Sequence, residues 1–183
     1  MNIPDLYFIA LLPDRTLLAE IRAIKEEFSR DFSASHALKS PAHITLQMPF
    51  KRTSDHEPLM TSALEEFAAG EKPFTVELDG FGAFAPRVIF IKIREHHNIA
   101  GLHSRLREVL LAQLGFPQGE VMNNVHPHIT LATRDLSRDS FGNAWPKFEN
   151  RNFAGSFTVN SIFLLKHNGR NWDIFSEFTF GKG

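Results

Sequence analysis

The tetrapeptide His-Ile-Thr-Leu occurs twice in this 183-residue chain, at His43–Leu46 and at His128–Leu131, 85 residues apart. Nothing else in the sequence constrains the fold as strongly. Each copy follows a stretch with helical spacing, and each of those stretches follows an apolar run, Leu6–Leu12 or Val88–Ile93. Phe74-Thr75-Val76 returns as Phe157-Thr158-Val159, 83 residues on. The order strand, helix, His-strand, helix, Phe-Thr-Val strand, strand is therefore read twice, which predicts a duplication. In a strand, residues two apart share a face. His43 and Thr45 project together while Ile44 and Leu46 turn to the core. His128 and Thr130 do the same, backed by Ile129 and Leu131. A pseudo-twofold axis brings both His-Thr pairs to one cleft.

The length predicts a single domain, 1–183, built of two pseudo-symmetric lobes with one motif each. With 43% hydrophobic and 22% charged residues the chain has the composition of a globular protein. Twenty Lys and Arg face 21 Asp and Glu, which argues against a histone-like coat or a polybasic membrane binder. The absence of cysteine excludes a disulfide scaffold, a thiol nucleophile and a cysteine zinc site. Leu6–Leu12 is too short for a signal-peptide core, Asp5 stands where basic residues belong, and no run reaches the ~20 apolar residues of a membrane span. A cytoplasmic, monomeric protein without membrane partners is expected.

Periodicity predicts helices over Thr16–Phe32, Glu57–Ala69, Ile99–Leu114 and Ser140–Phe148. Strands are predicted at Leu6–Leu12, Phe74–Leu78, Val88–Ile93, His128–Thr133, Phe157–Val159, Ile162–Lys166 and Trp172–Phe180. Ala37–Leu46 reads as extended, interrupted at Ser40-Pro41. Asn168-Gly169 is a hairpin turn.

Two imidazoles and two hydroxyls facing each other suit displacement at phosphorus. One imidazole accepts a proton while the other donates, and the hydroxyls hold phosphate oxygens. A ribose oxygen leaving from a strained cyclic phosphate needs no metal, so no metal and no cofactor are expected. His126 and His128 have metal-ligand spacing, but no nearby carboxylate completes a set.

These motifs resemble the two HxTx signatures of the 2H phosphoesterase superfamily. The phrases PAHITLQMPF and HPHITLATR resemble its bacterial 2′-5′ RNA ligase (LigT-like) branch, which includes RNA 2′,3′-cyclic phosphodiesterases. The resemblance covers nearly the whole chain. It implies an α+β fold with two antiparallel sheets, one per lobe, flanking a central cleft with helices outside. It implies opening of 2′,3′-cyclic phosphates on RNA ends or small nucleotides, with 2′-5′ ligation as a further activity. His43 and His128 correspond to the catalytic pair, with His128 assigned as base and His43 as acid, and Thr45 and Thr130 to the phosphate clamps. Relatives often carry Arg directly after the second HxTLA. Here that position is Thr133 and the arginine follows at Arg134, which faces the phosphate if the strand stays regular. Phe8, Phe50 and Phe84 are candidates for stacking on a base. Lys39, Lys51, Arg52, Lys166, His167 and Arg170 are candidate backbone guides, read first as surface charge. The competing reading is a nucleotide- or RNA-binding module with little turnover.

Overall fold

Apolar alternation and helical spacing resolve into eight strands and four helices in the computed structural model, which describes residues 3–181. β1 (Asp5–Leu11) leads into α1 (Arg15–Phe32), where the Asp14 carboxylate caps the first turn by accepting the Leu17 N–H at 3.0 Å. A 3-10 turn, His36–Lys39, then carries the chain to β2 (Ile44–Arg52). There follow α2 (Glu57–Ala69), β3 (Phe74–Phe84), β4 (Val88–Ile93), α3 (His97–Ala112) and β5 (His128–Ala132). The chain closes with α4 (Arg138–Phe148), β6 (Ala154–Val159), β7 (Ser161–His167) and β8 (Trp172–Thr179). The β7–β8 turn forms as predicted: the Asn168 side-chain oxygen accepts from the Arg170 and Asn171 N–H groups at 2.9 and 2.7 Å, and Gly169 has φ of 94°.

The segment predicted as extended over Ala37–Leu46 instead begins with the 3-10 turn, and its strand runs on through Pro49 to Arg52. The β1–β2 ladder shifts register between Tyr7↔Phe50 and Ile9↔Gln47. A register shift is where a strand tolerates a residue without an N–H.

All eight strands form one antiparallel sheet, curled into a half-barrel, in the order β6-β3-β4-β5-β2-β1-β7-β8. The two-sheet expectation is thus corrected. Two four-stranded halves, β6-β3-β4-β5 and β2-β1-β7-β8, are continuous through β2 and β5, whose register holds the single pair Ile44↔Ile129. Both isoleucines are fully buried, so pairing covers two apolar side chains and removes two open edges. The two Phe-Thr-Val segments are hydrogen-bonded neighbours, with Thr75 opposite Thr158, and so sit side by side in one half.

All four helices pack on one face. Ile21, Met60, Leu102 and Phe141 join Ile44, Leu46, Ile129 and Leu131 in one apolar cluster. Phe148 anchors it, stacked on Phe28 at 4.4 Å and edge-on to Phe81 at 5.2 Å. A smaller cluster of Phe8, Ala10, Leu12 and Leu165 lies on the opposite face. An antiparallel sheet covered on one side keeps its other side available to ligands. Among the described residues no helix is long and apolar enough to cross a membrane.

Candidate active site

β2 and β5 run antiparallel with Ile44 opposite Ile129. One step each way along that register puts His43 opposite Thr130 and Thr45 opposite His128. The isoleucines face the helices, so all four polar side chains share the helix-free face. Each of the four is half-buried, between residues that are fully buried. Diagonal neighbours across such a pair are about 7–8 Å apart. One diagonal carries the two histidines and the other the two threonines, framing a space suited to one phosphate group.

The two imidazoles are held alike. His43 Nδ1 lies 2.8 Å from the Pro41 carbonyl, and His128 Nδ1 lies 2.6 Å from the His126 carbonyl, two residues upstream in both cases. A carbonyl only accepts, so Nδ1 carries the hydrogen and donates in each ring. Nε2 therefore holds the lone pair of the neutral ring. Burial pushes the His43 imidazole down to about 4. The Pro41 carbonyl opposes that shift, while the charges of Lys25 and His128 add to it. Burial also lowers His128, against the His126 carbonyl and with the help of the His126 charge. Both rings are held toward the neutral form at neutral pH, His43 the more strongly.

Aromatic walls flank the histidines. Phe8 packs on His43 at 4.8 Å and edge-on to Trp172 at 4.6 Å. Phe8 is only 3% exposed, which corrects its reading as a stacking platform: its faces are spent on protein, and it supports His43 instead. On the other side Phe90 lies 5.0 Å from His128 and Phe84 lies edge-on at 5.3 Å. Phe84 is 43% exposed and keeps part of its ring surface free. Gly82 makes this wall possible, since a Cβ there would come within 2.5 Å of the Phe90 ring. Lys92, the register partner of His128, adds a cation on the same face.

Arg134 does not sit where a regular strand would carry it. β5 stops at Ala132, the Asp135 N–H bonds to the Thr133 carbonyl at 2.6 Å, and Arg134 takes a left-handed φ of 55°. The strand parity linking Arg134 to His128 and Thr130 is lost, and the guanidinium lies near His36, whose imidazole is pushed down by burial first and by the Arg134 charge second. Asp135 fixes this turn by accepting the Ser35 and His36 N–H groups at 2.9 and 2.8 Å.

Of the remaining candidates, Phe50 is buried against Tyr7 and Phe116. Lys166 is held by Asp5 and Glu57 at 2.8 and 2.7 Å. Arg52 grips Glu120 through its two terminal guanidinium nitrogens, and Lys39 closes the 3-10 turn. Lys51 and Arg170 lie toward a strand end and in the β7–β8 turn, while His167 packs edge-on to Trp172 at 5.0 Å, in the wall that backs Phe8. Among the described residues no three His, Asp or Glu side chains are grouped to hold a metal ion.

Sequence reasoning missed four supporting residues. Phe90 and Trp172 had weak signals, the former a Phe-Ile dipeptide on β4 that echoes Phe8-Ile9 on β1. Gln47 follows the first motif directly and is 1% exposed. Its amide donates to the Glu120 carbonyl at 2.9 Å and accepts the Met122 N–H at 3.3 Å, tethering the loop that delivers His128. Lys25 is 3% exposed, and its ammonium donates to the carbonyls of Ala37 and Ser40 at 2.9 and 3.1 Å. Its signal was position: it stands four residues after Ile21 and three before Phe28, on the apolar stripe of α1.

The family model of the 2'-5' RNA ligase superfamily matches residues 13–171. Among curated proteins, relatives from Geobacillus sp. (strain WCH70) and from Bacillus licheniformis, both named "Putative phosphoesterase", are each 26% identical over 179 residues. The matches cover 96% of this chain and 96% and 98% of the relatives. The crystal structure of TT0787 of Thermus thermophilus has the same fold, with a TM-score of 0.66, 23% identity, and coverage of 97% of this chain and 100% of that one. E. coli LigT complexed with 3'-AMP aligns with a TM-score of 0.61 at 22% identity, over 98% of this chain and 100% of LigT. With its two His-Thr pairs on one sheet face, the chain belongs to the 2'-5' RNA ligase superfamily, the LigT-like 2H phosphoesterases.

Proposed function

We propose that this phosphoesterase opens 2′,3′-cyclic phosphates of RNA ends or small nucleotides, acting as a monomer and without a metal or cofactor. The observation that carries the reading is the diagonal pair of imidazoles, each with Nδ1 engaged by a carbonyl and Nε2 left as the reactive nitrogen. The complexes of E. coli LigT with 3'-AMP and with NADP+ support a nucleotide ligand.

In the proposed step, His43 Nε2 takes a proton from water as its oxygen attacks phosphorus. The bond from phosphorus to one ribose oxygen breaks, and that oxygen takes a proton from His128 Nε2. The Thr45 and Thr130 hydroxyls donate to the non-bridging oxygens, where negative charge grows. Phe84 offers its exposed surface to the base. The stronger depression of His43 favours it as acceptor, the reverse of the assignment made from sequence. The phosphate anion between the rings favours the imidazolium that the donor requires. With a ribose 5′-hydroxyl in place of water, the same step joins two RNA ends, giving a 2′-5′ linkage when the 3′ oxygen leaves.

A panel of 2′,3′-cyclic phosphates, run with and without chelator and with product position determined, tests this reading. Turnover that survives chelation is expected; binding without turnover on every member favours the binding module instead. The pH profile gives a second check. In the free enzyme the acid limb belongs to His43, near pH 4, and the alkaline limb to His128, below the usual 6.5. The kcat/KM bell should therefore be displaced to the acid side, and the kcat bell should move to higher pH because bound phosphate stabilises imidazolium. A flat kcat/KM profile between pH 4 and 8, with chemistry rate-limiting, would remove the two-histidine mechanism.

A further inference from the structure

Lys25 is a buried cation with no acid partner among the described residues; its charged neighbour on α1 is Arg22, which repels it. A buried, uncompensated ammonium is expensive, and a methionine would fill the same space of the apolar stripe without that cost. Two of its donors are aimed at one turn. The ammonium binds the Ala37 and Ser40 carbonyls, one inside the 3-10 turn and one at its exit. The next carbonyl along the chain, that of Pro41, receives the His43 Nδ1 hydrogen. A continuous path thus runs from the ammonium through Ser40 and Pro41 to the imidazole. A cavity of about 200 Å³, lined by Leu18, Arg22, Lys25, Leu38 and Pro41, lies against the side of this turn.

We propose that Lys25 is the positioning residue of the first motif: a buried ammonium that pins the turn delivering His43 and thereby fixes the orientation of its imidazole. A turn held at two carbonyls presents the third in one orientation. The same ammonium also acts on the ring through its field. The charged groups facing His43 are Lys25 from α1 and His128 from β5, and both oppose a proton on His43. Lys25 is itself pushed down to about 8 by burial, so it is charged throughout the pH range in which His43 titrates. The proposal rests on the cyclic-phosphate reading only for its kinetic consequence; its effect on the ring is independent of any substrate.

The experiment compares Lys25→Met and Lys25→Gln with the parent protein, each titrated by NMR at the His43 ring and assayed on 2′,3′-cyclic AMP. Methionine removes both the donors and the charge; glutamine keeps a donor and removes the charge. In both variants the His43 titration should move to higher pH, since a repelling cation is gone. Turnover should fall roughly 10–10²-fold in Lys25→Met, the scale of a misplaced catalytic group, with KM little changed. Lys25→Gln should recover much of kcat while its acid limb stays displaced upward. If Lys25→Met fails to fold, the glutamine variant still carries the test. An unmoved His43 titration in either folded variant overturns the proposal, as does parental kcat in Lys25→Met. If the parent opens no cyclic phosphate, the functional reading falls alone, and the ring titration still decides the role of Lys25.

Discussion

Replacing either His43 or His128 by alanine is expected to lower turnover of a cyclic phosphate by about 10²–10⁴-fold, the usual worth of a positioned acid or base. The double variant should be little worse than the poorer single one. In the proposed step both rings act on one transition state, so removing one partner already disables the proton relay. Folding should survive, because both side chains stand half-buried on the helix-free face while Ile44 and Ile129 secure the strand pairing beneath them. Circular dichroism and a thermal midpoint within a few degrees of the parent check that condition. A well-folded His43→Ala protein with full activity across the panel would end the mechanism. The two singles also separate the roles: loss of the acceptor should erase the acid limb of the pH profile, and loss of the donor the alkaline limb.

The second large effect belongs to the threonines. Thr45→Val and Thr130→Val keep the β-branched shape that suits a strand and remove one hydroxyl donor each. A hydrogen bond to a charged partner is worth about 1.5–3 kcal/mol, so each change should lower kcat/KM by roughly 10–150-fold. The pair differs from the histidines in how the losses combine. In the proposed step each hydroxyl, carried on its own strand, donates to a different oxygen, and the double variant should then lose close to the product of the single effects. If the threonines only pack, both variants will show parental kinetics.

The parts of the site legible in the sequence are those written in strand parity. His43 with Thr45 and His128 with Thr130 could be placed on one face, with Ile44, Leu46, Ile129 and Leu131 behind them, from alternation alone, and the structure places them so. Parity failed where the chain left the strand. Arg134 has the parity of His128, but a tight turn at Thr133–Asp135 intervenes, held by Ser35 and His36 from a segment about 100 residues away. The single sheet was illegible for a related reason. Alternation tells a strand which side to bury and says nothing about which strand lies beside it. The Ile44↔Ile129 pairing is a tertiary choice, as is the neighbouring of the two Phe-Thr-Val strands. Phe8 was misread because, in a chain with 18 phenylalanines, only packing separates the rings that are covered from those that are free. Lys25 went unseen because a lysine on a helix is ordinarily solvent-facing.

The single Ile44↔Ile129 pair has a consequence for how the protein gains and loses its activity. Every other adjacent strand pair is held by a longer ladder: β1–β2 and β3–β6 by six register partners each, β7–β8 by seven. Each half can complete its own ladders before the seam closes, and the seam can part while they persist. The His-Thr quartet exists only while it is closed. On heating, protection of the backbone amides that bond across the β2–β5 seam should vanish before that of the β7–β8 amides, and turnover should disappear with the former, while most secondary structure is still in place.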